Sequence, residues 1–502
     1  MDYQLFEIWT AMPTLWPAVY GLLLLLFVPA LREDRQWLWG FAVAGMVLTI
    51  VVPSYMLYHI GSYGDYRETA GMLGMEMVRA DRLSLSLDIL FGVAGLLALL
   101  LMPVYLDRAR AYRPEVYPLT FLSVAGMTIM VGTDNLMMIF LGLEVLSISL
   151  YVMCGIARET PTGIEAALKY FLLGAFSTGF LVYGVALLYG ATGSLDLEGI
   201  ASAVALGAPG LAPYGDGMLL AGMALVIVAF AFKIGAVPFH FWTPDVYQGA
   251  PTPVTAFMAA GTKAAAFGVL LRLLHTGLSS SIDVSSRWIL ALSVLAAATM
   301  IIGNVMALVQ DRVKRLLAFS SVAHAGYLLL GLLAPLDVGV ANVVFYLTVY
   351  TFMTIGAFAV VSVFQDAGHD ADHISHFSGL WSRHPVLAVT MAVFLLSLTG
   401  IPPMGGFTCK YVIFLSALRA GHPLLALIMG IAAVIGAYYY LRVLVAMFFK
   451  PPEQELSAEI VVPSPTRVVL AVSVVATVLL GILPSYVLEP LSRISASLAM
   501  LP

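Results

Sequence analysis

Charged side chains are scarce in this sequence, since Asp, Glu, Lys and Arg make up only 11% of the 502 residues and 61% are hydrophobic. Soluble globular chains carry about 25% charged and about 45–50% apolar residues. The shortage of charge excludes a water-soluble enzyme, a disordered chain and a nucleic-acid-binding protein. The composition instead predicts a polytopic membrane protein that is surrounded by lipids and binds no nucleic acid.

Cysteine is also rare, and the two that occur, Cys154 and Cys409, lie far apart within apolar runs. This spacing does not support a disulfide framework, a zinc site or an iron–sulfur cluster held by cysteines. The glycine-rich loops that cradle nucleotide phosphates are missing as well. No cofactor and no metal ion are therefore expected in this chain.

Long apolar runs are the main feature that is present. A helix needs about 20 residues to span a membrane. The runs predict an all-α polytopic fold of about 14 transmembrane helices, and an even number places both termini on one side. The predicted helices 1 to 14 cover residues 11–31, 37–59, 84–106, 115–132, 134–156, 164–190, 218–240, 252–276, 288–309, 315–334, 339–364, 386–419, 423–449 and 466–488.

Arginine and lysine orient these helices, because cytoplasmic loops carry an excess of both residue types. Thirteen of the 24 basic residues, Lys314 among them, fall in loops and helix ends on one side, and seven fall on the other. The side with thirteen is predicted to be cytoplasmic. Both termini then face outward.

The remaining four basic residues are lysines inside predicted helices, namely Lys169, Lys233, Lys263 and Lys410, whereas all 18 arginines lie near helix ends. A charge at the bilayer centre costs roughly 2.5–3.5 kcal/mol. A lysine, unlike an arginine, can lose its proton when it is desolvated. Glu144, near the middle of predicted helix 5, is the acid placed deepest. Buried groups that titrate favour proton transfer over the binding of an ion or a sugar.

Two of these residues also admit a plain structural explanation. Lys169 lies only about five residues inside predicted helix 6, from where a lysine side chain can reach the membrane surface. Glu144 could serve as a structural counter-ion. Lys263, by contrast, lies close to the middle of predicted helix 8 and is too deep to reach the surface.

Glycine and proline interrupt predicted helices 7 and 12 beside a lysine. Gly235-x-x-Pro238 follows Lys233, and Gly400-x-x-Pro403, 165 residues later, precedes Lys410. Broken helices at matching places are typical of inverted repeats in transporters. The pattern predicts two inverted five-helix units, residues 115–276 (helices 4–8) and 288–449 (helices 9–13). Residues 1–114 hold helices 1–3, and residues 450–502 hold helix 14.

Four runs of sequence contain Glu144, Lys169, Lys233 and a further candidate, His324. They are Gly142-Leu-Glu144-Val-Leu-Ser147, Glu165-Ala-Ala-Leu-Lys169-Tyr-Phe-Leu-Leu-Gly174, Phe232-Lys233-Ile-Gly-Ala-Val-Pro238-Phe-His240-Phe-Trp242 and Arg315-Leu-Leu-Ala-Phe-Ser320-Ser-Val-Ala-His324. The runs resemble the antiporter-like subunits of respiratory complex I over roughly residues 115–450. Within that family the chain is most similar to the subunit N branch, since Lys410 stands where subunit M has a glutamate and no long lateral helix of the subunit L kind follows predicted helix 14.

The resemblance implies a role for each residue. Glu144 matches the glutamate of helix 5, and Lys233 matches the helix 7 lysine that pairs with it. Lys263 matches the central lysine of helix 8, and Lys410 matches the helix 12 lysine that exchanges protons with the outer side. Lys169 matches a recurrent lysine of helix 6. His324 falls at a polar relay of the family, although a buried histidine with its hydrogen bonds satisfied is an alternative.

The resemblance also implies the setting of the chain. It implies a proton-translocating subunit of NADH–quinone oxidoreductase in a bacterial inner membrane, with a thylakoid membrane less favoured. Flavin, iron–sulfur clusters and quinone would lie in other subunits, with subunit M on one flank and small subunits such as K and J on the other. Two alternatives stay open, namely a subunit of a multisubunit sodium/proton antiporter and a scaffold of the membrane arm that does not pump.

Overall fold

The computed structural model of the chain describes residues 3–30, 34–63, 77–157, 160–205, 215–277, 282–366, 369–453 and 460–499. Among these residues the only strands are β1 (Gln365–Asp366) and β2 (His369–Asp370), which pair in antiparallel fashion. The helices are α1 Tyr3–Phe27, α2 Arg35–Tyr63, α3 Arg82–Arg108, α4 Val116–Val131, α5 Leu136–Cys154, α6 Pro161–Thr192, α7 Leu197–Ala205, α8 Gly215–Ile234, α9 Trp242–Gly249, α10 Thr252–Arg272, α11 Ile282–Leu308, α12 Val313–Leu332, α13 Leu336–Val363, α14 Leu380–Arg383, α15 Pro385–Thr399, α16 Gly405–Arg419, α17 Pro423–Phe449, α18 Ser464–Ile482 and α19 Ser485–Ala499.

The all-α polytopic fold predicted from hydropathy is confirmed. Twelve helices in the described part of the chain are long and apolar enough to span a membrane. Two shorter apolar helices, α4 and α15, stand at the places of predicted helices 4 and 12. Each of the predicted spans therefore has a helix in the structure.

Three elements differ from the sequence prediction. The predicted 191–217 loop contains α7, which buries Leu197, Ile200 and Val204 on one face. Predicted helix 14 does not reach residue 488, because α18 ends at Ile482 and Pro484 has no N–H to continue the helix. The chain then forms α19, which packs against α13. Short amphipathic helices of this kind lack the long apolar run by which spans are recognised.

The predicted breaks in helices 7 and 12 are confirmed. Predicted helix 7 ends at Ile234, where Gly235 has φ +71°, and helical structure resumes with α9. Predicted helix 12 ends at Thr399, where Gly400 has φ +91°, and resumes as α16. Side chains other than glycine rarely adopt these angles, so glycine is what permits each helix to stop. The inverted relation between residues 115–276 and 288–449 stays a prediction.

The centre of the protein is formed by α10 and α12. Every residue of α10 is buried, and every residue of α12 except Arg315 is buried. Around them, α10 packs against α3, α4, α8 and α13, whereas α12 packs against α9, α11, α13 and α16. A polar side chain on either helix is therefore enclosed by protein and not by lipid.

Local sequence explains where several helices begin. Asp81 and Ser84 form a capping box at the start of α3, each side chain accepting the backbone N–H of the other. Asn135 accepts the N–H groups of Met137 and Met138 at the start of α5. A proline occupies the first turn of α6, α15, α17 and α18, where its missing N–H costs no helical hydrogen bond.

Candidate functional site

Lys233 lies in the last turn of α8 and is buried, with 4% of its surface exposed. Its ammonium donates a hydrogen bond of 2.7 Å to the hydroxyl of Ser147 on α5. The rings of Tyr151 and Tyr170 lie 5.7 and 5.4 Å from Nζ. The side chain is thus held by a hydroxyl and two aromatic faces.

Glu144 and Lys233, which the resemblance pairs, are not in direct contact in this conformation. Within the described residues no ion pair of 4 Å or less joins them, and the carboxylate of Glu144 accepts a 2.6 Å hydrogen bond from Thr178 on α6. Ser147 lies one turn further along α5 than Glu144, on the same face of the helix. Sequence reasoning gave no role to Ser147 or Thr178, although Ser147 closes one of the runs on which the resemblance rests.

The break after α8 leaves backbone groups that the protein itself satisfies. Trp242 donates its indole N–H to the carbonyl of Phe232 over 3.0 Å, and Ser177 donates to the carbonyl of Ala229 over 3.1 Å. Unpaired backbone groups at membrane depth are tolerated only against protein or water. The helix break beside Lys233 is therefore stabilised by side chains of the protein.

Lys263 lies near the middle of α10, with 2% of its surface exposed. Its ammonium donates to both the carbonyl and the hydroxyl of Ser321 on α12, and the ring of Tyr350 lies 5.3 Å away. No carboxylate in the described part of the chain lies within ion-pair distance of it. Lys263 is a buried amine whose polar partners are all uncharged.

His324 lies one turn after Ser321 on α12. Its Nδ1 is 2.7 Å from the hydroxyl of Tyr346, and its Nε2 is 3.5 Å from the hydroxyl of Tyr440. The hydroxyl of Tyr440 also bonds to that of Ser320. Hydroxyl groups can donate and accept, so the imidazole is connected on both nitrogens to groups that can pass a proton.

Lys410 lies on α16 and points back at the break of predicted helix 12. Its ammonium donates to the carbonyls of Leu398 and Thr399 over 2.8 and 2.9 Å, and the ring of Tyr327 lies 5.0 Å away. A Cβ atom on Gly400 would lie 3.0 Å from Cδ of Lys410. Gly400 therefore both frees these carbonyls and leaves room for the lysine.

Lys169 does not lie in contact with the other lysines. It forms ion pairs of 2.6 Å with Glu165 on its own helix and with Asp245 on α9. Asp245 in turn pairs with Arg315 over 2.7 Å. These side chains are partly exposed, as expected for the end of a helix bundle. The structure places Lys169 in an ion-pair network near the first turn of α12.

The other site residues form separate groups of contacts. Lys263 contacts Ser321, whose hydroxyl lies 3.5 Å from that of Tyr247. His324 contacts Tyr346 and Tyr440. The hydroxyl partners were missed because they are common residues in apolar helices. Among the described residues, no three His, Cys, Asp or Glu side chains cluster so as to hold a metal ion.

A second group of buried charges was also missed. Arg272, at the last residue of α10, pairs with Asp81 over 2.7 Å and with Asp134 over 3.3 Å, and donates to the carbonyl of Val131. Asp88 on α3 is buried as well. Glu144, which is only half-buried, is therefore not the only acid enclosed in the bundle.

Comparison with known proteins places the chain in a family. Residues 133–436 match the family described as NADH:quinone oxidoreductase/Mrp antiporter, transmembrane. The NADH-quinone oxidoreductase subunit N of Trichlorobacter lovleyi is 44% identical over 414 residues, which are 82% of this chain and 83% of that protein. The chain belongs to the subunit N family. The subunit N of Chloroflexus aggregans is 39% identical over 485 residues, 95% of this chain and 94% of that protein.

Two solved structures share the fold of this chain. A chain of respiratory complex I from Thermus thermophilus is 34% identical and superposes with a TM-score of 0.77, covering 95% of this chain and 99% of that one. A chain of the Mrp complex from Dietzia sp. DQ12-45-1b is 22% identical with a TM-score of 0.83, covering 98% and 97%. The second similarity shows a shared fold alone. The resemblance predicted from the four sequence runs is confirmed.

Proposed function

We propose that this chain is a proton-translocating membrane subunit of NADH–quinone oxidoreductase. Protons move through the row Glu144, Lys233, Lys263, His324 and Lys410, driven by quinone reduction elsewhere in the complex. The observation that carries this proposal is the contact of Lys263 with Ser321. A buried ammonium without a carboxylate partner is costly, whereas a neutral amine is not, so this position favours a group that gains and loses a proton.

The hydrogen bonds around Lys263 supply a path for that proton. The ammonium gives its proton to the hydroxyl of Ser321 as that hydroxyl passes its own proton toward His324. The imidazole binds the proton on one nitrogen and releases it from the other toward Lys410. Each transfer makes one bond to hydrogen and breaks one, so no other reactant is consumed. Water would bridge the gaps that the described side chains leave.

The Glu144 end of the row acts as a switch. In this conformation Lys233 is bound by Ser147, while Glu144 is bound by Thr178. A shift of Lys233 by one turn along α5 would exchange the hydroxyl for the carboxylate. Contact with the carboxylate favours the charged lysine, and contact with the hydroxyl alone releases its proton toward Lys263. Lys169, in its separate ion-pair network, would bias that shift without carrying the proton.

The setting of the chain follows from its family. We infer that NADH, flavin, iron–sulfur clusters and quinone are bound by other subunits, with subunit M on one flank and subunits such as K and J on the other. The membrane would be the bacterial inner membrane, with both termini on its outer side. The two five-helix units would carry the inner and outer halves of the proton path.

Two other functions fit parts of the structure. A subunit of a sodium/proton antiporter is compatible with the shared fold of an Mrp complex chain and with the family description, which names both kinds of protein. A scaffold that transmits strain would need the same buried helices but none of the titratable groups. The identity to subunit N proteins over most of their length supports a complex I subunit more strongly than an antiporter subunit or a scaffold.

Isolation of the chain from its native membrane separates these functions. With an affinity tag on the chain, we expect subunits containing flavin and iron–sulfur clusters to co-purify. Vesicles of that membrane should acidify on addition of NADH, equally well with and without sodium. Co-purification of membrane subunits alone, together with sodium-dependent proton exchange, would contradict the proposal and favour the antiporter.

A further inference from the structure

A buried ion pair lies at the first turn of α12, at the opposite end of α10 from Arg272. The ammonium of Lys314 bonds to the carboxylate of Asp370 over 2.7 Å and to the carbonyl of Ala250 over 2.8 Å. The hydroxyls of Thr252 and Tyr105 donate to the two oxygens of the same carboxylate over 2.8 and 2.9 Å. Four elements, α3, α10, α12 and β2, therefore meet at Asp370.

A cavity of about 180 Å³ opens beside this carboxylate. Its lining includes Asp370, Gln248, Arg312 and Asp372, so water fits its chemistry. The side chain of Asp370 is 14% exposed, whereas that of Lys314 is 1% exposed. Asp370 thus faces the cavity, and Lys314 lies behind it on the protein side.

The ion pair is aligned with Lys263. Lys314 and Ser321 share one face of α12 and are separated by two turns, about 10 Å of helix. The carbonyl of Ala250 accepts from Lys314 and, over 3.5 Å, from the hydroxyl of Thr255, which also donates to the carbonyl of Tyr247 over 3.1 Å. The hydroxyl of Tyr247 is 3.5 Å from that of Ser321. Polar atoms therefore lie at both ends of the interval, and water would bridge the step along the side chain of Tyr247.

We propose that Asp370 and Lys314 are the proton-uptake site that supplies Lys263 from the aqueous phase. This inference rests on the proposed function. A hydronium ion in the cavity gives its proton to the Asp370 carboxylate, which becomes neutral. Lys314, now without its partner, passes its own proton through water and the hydroxyls of Tyr247 and Ser321 to the neutral amine of Lys263. The proton on Asp370 then moves to Lys314, and the ion pair re-forms.

If Lys314 had a purely structural role, arginine could replace it without loss of proton translocation. Arginine keeps the charge and the ion pair with Asp370 but is very hard to deprotonate. Lys314→Arg therefore preserves a structural contact and removes a relay. Asp370→Asn keeps the size and the hydrogen bonds but cannot carry a proton, and Asp370→Glu restores the carboxyl.

The test is proton translocation by the assembled complex in vesicles that expose the Asp370 end to the medium. We expect Lys314→Arg and Asp370→Asn to lower NADH-driven proton translocation by about tenfold, the scale of losing one proton-transfer group, and Asp370→Glu to restore most of it. Subunits containing flavin and iron–sulfur clusters should still co-purify with each tagged variant, which shows that the complex is assembled. Normal translocation by the Lys314→Arg variant would overturn the uptake site.

Asp81→Asn is the matched control. The pair Arg272–Asp81 has the same 2.7 Å contact and nearly the same exposure, 1% and 17%, but lies at the other end of α10. Asparagine still caps α3, and Arg272 keeps Asp134 as a partner over 3.3 Å, so the complex should assemble and translocation should persist. An equal loss in this variant would assign the effect to any broken ion pair and overturn the proposal. Normal translocation by a Lys263→Arg variant would instead contradict the proposed function itself.

Discussion

Replacing Lys263 by arginine is expected to stop proton translocation while the complex still assembles. The guanidinium keeps the positive charge and can donate to Ser321, but it does not release a proton at physiological pH. A relay at the centre of α10 must both bind and release a proton in each cycle. We expect translocation to fall at least about tenfold, as for the loss of a general acid–base group, and coupled quinone reduction to slow with it.

Lys263→Met completes this comparison, because methionine has a similar length and packs as well but cannot titrate. Thr262→Val is the control, since it replaces a neighbouring buried hydroxyl that bonds only to its own helix. Proton translocation per NADH in vesicles should fail in both Lys263 variants and persist in the control. If Lys263 were only a structural counter-ion, the arginine variant would work nearly as well as the lysine, and only the methionine variant would fail.

Replacing Arg272 by methionine is expected to prevent stable folding. Burial alone would raise the pKa of Asp81, but Arg272 and the capping contact with Ser84 hold that pKa below its usual value. Without the guanidinium, the carboxylate of Asp81 loses the buried cation that it shares with Asp134, whereas Asp134 keeps its pair with Arg79. Breaking one partner of a buried pair costs about 3–5 kcal/mol, which is a large part of the stability of a typical domain.

The yield of assembled complex and its thermal inactivation in detergent measure this effect. Arg35→Met is the matched control, because Arg35 pairs with Asp107 over 2.8 Å at an exposed position. Such surface pairs contribute about 0–1 kcal/mol. A normal yield of the Arg272→Met complex would show that the group of charges around Asp134 does not stabilise the fold.

The positions of the spans and of the breaks could be predicted because each has a local cause. A membrane requires long apolar runs, and a helix stops where glycine permits a positive φ and proline withholds an N–H. The burial of Lys233 and Lys263 follows in the same way, since only enclosure by protein makes a charge tolerable at that depth. Short stretches of sequence therefore determine the spans, the breaks and the burial of these lysines.

The partners of the lysines could not be predicted, because they depend on how each helix is rotated. In α10 and α12 apolar residues occur all round, so no stripe indicates which face meets which neighbour. The contacts of Lys263 with Ser321 and of Lys233 with Ser147 both follow from that rotation. Lys314 was placed with the loop charges at a helix end. Its burial depends on Asp370, which is distant in sequence.

An experimental structure of the assembled complex, at a resolution that reveals ordered waters, tests the mid-membrane row most directly. We expect about one to three bridging waters in each gap that the described side chains leave, from Lys233 through Lys263 and His324 to Lys410. Waters should also occupy the cavity at Asp370. A dry apolar gap between Lys233 and Lys263, or either of these lysines turned toward lipid, would contradict the proposed row.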